Sequence, residues 1–112
     1  MVAGGAVTER IIMNDFHEAP PLAPDRETVA EYPLIADACR AYFAAEMEQL
    51  GWSFGNSLLT QSEKWGLIWR ADFTVHGRSH PDFINRAVCW TEPDGTVLGT
   101  HVAFGQKIAP LP

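Results

Sequence analysis

The stretch Leu67-Ile68-Trp69-Arg70-Ala71-Asp72-Phe73-Thr74-Val75-His76 decides the fold class. Leu67, Trp69, Ala71, Phe73 and Val75 alternate with Ile68, Arg70, Asp72, Thr74 and His76. Successive side chains of a strand point to opposite faces, so a period of two predicts a half-buried strand. Before it, Glu63-Lys64-Trp65-Gly66 reads as a turn and residues 54–61 as a less regular strand. After it, residues 83–92 and 96–106 read as a third and a fourth strand. Glu92-Pro93-Asp94-Gly95-Thr96 between those two is the clearest turn in the chain. Proline presets the dihedral of the first turn position, and glycine supplies the positive one that restarts the ladder.

Upstream the period changes. Ala36, Cys39, Phe43, Met47 and Leu50 recur at steps of three and four, which predicts one main amphipathic helix over residues 33–50. Pro33 suits a first helical turn, and Gly51 sits where a left-handed C-terminal cap belongs. The expected fold class is α+β: a helix packed on a four-stranded, or with Val7–Met13 five-stranded, antiparallel meander. Residues 1–24 are expected to form an extended N-terminal segment, because Pro20-Pro21-Leu22-Ala23-Pro24 suits neither helix nor central strand. Residues 25–112 form the single α+β domain, and Asp25-Arg26-Glu27 suggests a separate short helical turn.

The last hairpin suggests a register, which a two-residue loop in place of a three-residue one would shift by one, and an interface. With Gly95 as the bulge of a three-residue loop, Glu92 pairs with Thr96, Trp90 with Leu98, and Ile84 with Phe104. Ile84, Val88, Trp90, Leu98, Val102 and Phe104 then form one apolar patch, while the other face of the hairpin is small and mostly apolar. Neither face is polar, so both need a cover. The helix supplies one, and the second falls to a partner subunit, a ligand or the N-terminal segment. Monomers rarely expose large apolar patches, so a homodimer through this face, anchored by Trp90, is the expectation.

Composition narrows the class. The chain has 112 residues and 46 % apolar content, which is ordinary globular composition for one domain. No apolar run approaches the ~18 residues of a membrane span. The net charge is −6, with nine acidic and three basic residues in 1–56 and five of each in 57–112. Such a balance argues against nucleic acid and anionic membranes as partners. Arg70, Arg78 and Arg86 read as solvated strand and turn residues rather than as a local positive site. The N-terminus lacks the basic start and apolar run of a secretory signal, so a cytoplasmic setting is expected. Cys39, on the helix stripe, and Cys89, in the third strand, read as core cysteines with free thiols. A helix-to-sheet disulfide is the alternative, and it implies an oxidising compartment.

Candidate chemistry is sparse. His76-Gly77-Arg78-Ser79-His80-Pro81-Asp82 gathers imidazoles and a carboxylate in a turn, but its spacing matches no metal motif, and no metal or cofactor is expected. His101 lies within an apolar strand, and Asp72 is central in its own. A carboxylate that orients an imidazole in an apolar pocket is one way to build a general base. Four tryptophans are many large rings for this length, and core packing accounts for most of them.

A helix followed by a four-stranded antiparallel meander, from about residue 33 to 108, resembles the cystatin-like and nuclear-transport-factor-like layouts in the order of its elements. That resemblance implies a curved sheet that dimerises through its outer face or holds a pocket under the helix. No sequence motif of either family accompanies it. The leading expectation is a non-catalytic binding or protein-interaction module that self-associates through its sheet and takes a small apolar ligand or a protein partner. The alternatives are a small acid–base enzyme using His101 and Asp72, and an inhibitor or accessory subunit of a larger complex.

Overall fold

The computed structural model describes residues 18–24 and 32–112. Two expected elements, the strand at Val7–Met13 and the helical turn at residues 25–27, lie outside them. The described chain is an α+β fold. Helices α1 (Pro33–Tyr42) and α2 (Ala44–Leu50) precede strands β1 (Trp52–Ser62), β2 (Gly66–Val75), β3 (Ile84–Thr91) and β4 (Val97–Gln106). The strands form one antiparallel sheet in the order β1-β2-β3-β4.

The helical span is interrupted where a single helix was expected. Phe43 leaves helical geometry at φ −100° and ψ 5°, and its N–H donates to Arg40 O, a three-residue rather than four-residue step. The sequence has no proline or glycine at this point. At the break the Phe43 ring is buried in an aromatic cluster, with centroids 6.1 Å from Trp52, 6.1 Å from Phe54 and 6.5 Å from Trp69. Helix α2 buries no residue fully, although Met47 packs against the core. It ends at Gly51, whose φ of +66° makes the left-handed cap. Any side chain there would also strike the His76 ring, since a Cβ would lie 2.3 Å from its Nδ1.

Ile35, Cys39 and Phe43 from the helical side meet Leu67, Trp69, Ala71, Phe73, Ala87 and Cys89 from the sheet. This is one alternate set of the β2 residues, as their period of two requires. Cys39 and Cys89 are joined by a disulfide, which corrects the expectation of free thiols. The helix stripe places Cys39 directly over the central strand β3, with a Cα–Cα separation of 5.9 Å that suits a bridge.

The register of the last hairpin also differs from expectation. At the turn it is as expected: Glu92 N–H donates to Thr96 O, Gly95 N–H donates to Glu92 O, and Thr91 pairs with Val97. The Asp94 carboxylate accepts the Thr96 N–H at 2.9 Å, which holds its pKa below the usual carboxylate range. A bulge at Leu98 then shifts the pairs from Trp90 to Arg86 by one, so that Trp90 faces Gly99, Val88 faces His101 and Arg86 faces Ala103, and a second irregularity sets Ile84 opposite Gln106. The Trp90 ring occupies the space above Gly99, where a Cβ would lie 2.3 Å from a ring carbon. Glycine is the residue that admits the indole there. A bulge of one residue is enough to exchange the two faces of β4 relative to β3.

The second face of the sheet is covered by the chain's own ends. Residues 18–24 and 107–112 meet it through two fully buried arginines. Arg70 donates from Nε and Nη2 to Pro21 O and from Nη1 to Thr60 Oγ1. Arg86 donates from Nη1 to Leu22 O at 2.9 Å, from Nη2 to Ala109 O at 2.7 Å, and from Nε to Asp72 Oδ1 at 2.6 Å. Asp72 Oδ2 accepts the Leu111 N–H, and Leu111 O accepts from Asn56 Nδ2. Proline-rich extended chain leaves its carbonyls free of local partners, which suits it to receive guanidinium donors. Each buried cation thus has several oxygen acceptors, the condition under which burying it is tolerable.

Candidate functional site

The connection between β2 and β3 builds the rim of a cleft. His76 and Gly77 both have positive φ, 53° and 71°, and the Arg78 N–H donates to Val75 O, which makes a tight reversal at the end of the strand. A second closure follows, where the Phe83 N–H meets His80 O and the two rings lie 4.8 Å apart. The Asp82 N–H donates to His80 Nδ1 at 3.0 Å. In the neutral imidazole, an accepting Nδ1 puts the proton on Nε2.

Both edge strands are irregular at this end of the sheet. The β1–β2 register shifts between Phe54 and Ser57, next to Gly55. The β3–β4 register shifts between Ile84 and Arg86, where Gly105 has φ +60° and donates its N–H to Asn85 Oδ1. Bulges bend the strand that carries them. Between the irregular edges and the 76–83 connection lies an open cleft of about 750 Å³. Phe54, Phe73, Val75, Phe83 and Ile84 give it an apolar body, and Arg78 and His80 stand on its polar side. A smaller cavity of about 220 Å³ lies between the two chain ends beside Arg86.

The residues singled out from sequence are distributed as follows. His101 is exposed on β4, and Asp72 gives its two oxygens to Arg86 and to the Leu111 N–H, so the two are not brought together as a pair. The six-residue apolar patch is divided. Val88 and Trp90 project from the second face, Ile84 lines the cleft, Val102 packs into the core under the helices, and Leu98 and Phe104 are each 54 % exposed. The Phe104 ring touches Trp52 and Phe73 on the helix side. Trp90 stands edge-on to Trp65 at 5.8 Å, within its own chain. Arg70 and Arg86 are buried rather than solvated, and Arg78 is exposed at the cleft. Among the described residues no three of His, Cys, Asp and Glu gather as a metal site.

The cleft was not singled out from sequence as a site, although five of its lining residues, Asp72, His76, Arg78, His80 and Ile84, were each considered for other roles. The one local signal was Phe83, a large apolar residue directly after Pro81-Asp82, where a solvated turn has no use for it. No family model matches the chain, and it matches neither a curated protein nor a solved structure.

Proposed function

We propose that this domain is a non-catalytic ligand-binding module whose site is the cleft at the β2–β3 end of the sheet. One observation carries the reading: an apolar concavity of about 750 Å³ with a few polar groups at its rim. Sites for small molecules have this size and character. The carboxylate among the described residues of the cleft, Asp72, is committed to structural hydrogen bonds with Arg86 and the Leu111 N–H. The Cys39–Cys89 disulfide supports an oxidising compartment rather than the cytoplasm. Titration with a panel of small aliphatic and aromatic fragments, followed by backbone amide shifts, tests the site. Responses concentrated at Ser53, Thr74, Arg78 and Ile84 are expected. Responses confined to other surfaces would remove the cleft as the site.

Self-association has a separate observation in its favour. Among the described residues strand β4 is a ten-residue sheet edge that exposes Leu98 and Phe104. Unpaired edges are templates for a second strand, and a two-fold pairing of β4 with its own copy closes the assembly. Sedimentation at micromolar concentration is expected to show a dimer that Leu98→Lys dissociates. A wild-type chain that stays monomeric leaves this second reading without support.

A further inference from the structure

The charges around the cleft specify the kind of ligand it takes. Most basic side chains of the described residues are already engaged. Arg70 and Arg86 are buried under the chain ends, Lys64 pairs with Glu18 at 3.0 Å, and Arg40 lies over the Trp69 ring at 5.8 Å. Arg78 has no carboxylate partner among the described residues, yet its backbone is fixed by the bridge to Val75. An arginine that lines the cleft from a fixed reversal can turn its guanidinium to a ligand there, at the ordinary entropy cost of ordering an exposed side chain. His80, its Nδ1 accepting the Asp82 N–H, offers Nε2–H as a second donor. The carboxylate among the lining residues, Asp72, has both oxygens filled by Arg86 and Leu111.

The cleft therefore has an apolar body and, at its rim, a cation that no carboxylate of the described residues pairs, in a chain whose net charge is −6. Resting on the reading of this cleft as the binding site, we infer that its ligand is a hydrophobic monocarboxylate. Its apolar body lies against Phe73, Val75, Phe83 and Ile84, and its carboxylate meets Arg78 and His80. Guanidinium and carboxylate match in shape and charge, and an unpaired arginine gains a partner that solvent alone does not supply.

The test uses the full chain and two probes of equal length, decanoate and 1-decanol, both below micelle-forming concentrations, followed by amide chemical shifts. Decanoate is expected to move the Arg78, Ser79 and Ile84 amides and to bind at least about tenfold more tightly than decanol. Arg78→Gln is expected to lower decanoate affinity about tenfold, the share of a charge-assisted contact, and to leave decanol affinity unchanged. Equal affinity of both probes in the cleft, insensitive to Arg78→Gln, would keep the binding module and overturn the carboxylate. Absence of cleft shifts with either probe would overturn both. The Arg78→Gln amide spectrum in the absence of probe reports whether its fold is intact.

Discussion

Asp72→Ala is expected to destabilise the domain by about 3–5 kcal/mol, as removal of one partner from a buried ion pair does. The cost arises from what is left behind. Arg86 has a side-chain exposure of 2 %, and its shortest contact is to Asp72 Oδ1 at 2.6 Å. Without the carboxylate, a buried guanidinium keeps, among the described residues, the carbonyls of Leu22 and Ala109. The same substitution frees the Leu111 N–H and so loosens the C-terminal segment on the sheet. Arg86→Ala in the Asp72→Ala background should then add less than it does alone, by about 1 kcal/mol or more, because its partner is already absent. Urea unfolding of the four proteins measures this. Additive losses would show that Arg86 and Asp72 do not act as a pair.

The second large effect belongs to the disulfide. Cys39 and Cys89 are 50 residues apart, and closing a loop of that length in the unfolded chain stabilises the fold by about 4 kcal/mol in the chain-entropy account. Both cysteines are fully buried, so a reductant reaches them only through opening of the helix–sheet interface. Thiol titration of denatured, unreduced protein is expected to count no free thiol, and Cys39→Ala with Cys89→Ala to lower the urea midpoint markedly. Two titratable thiols in freshly isolated protein would contradict the bridge.

Strands were more legible in this sequence than the contacts between them. Alternation in Leu67–Val75 and the turn at Pro93-Asp94-Gly95 placed the strands within one or two residues, because both signals are local. The interruption at Phe43 carried no such signal, since tertiary burial of one ring, not proline or glycine, accompanies it. The turn set the right pairing at Thr91 and Val97, and a bulge at Leu98, seven residues beyond Thr91, undid it for the rest of the hairpin. Its trace in the sequence is a glycine opposite a tryptophan, which means little until the register is known. Arg70 and Arg86 alternated as polar residues should and were read as solvated. Their burial depends on carbonyls 49 and 64 residues earlier in the chain. The cleft depends on two bulges and a reversal acting together, and no single stretch encodes it.

The claim that a ligand enters this cleft is tested most directly by intermolecular nuclear Overhauser effects from bound decanoate to protein methyl and ring protons. The cleft reading predicts contacts from the aliphatic chain to Val75, Phe83 and Ile84, with the carboxylate end nearest Arg78. Contacts instead to Leu98 or Leu34 on the outer surface, or none at saturating probe, would contradict it.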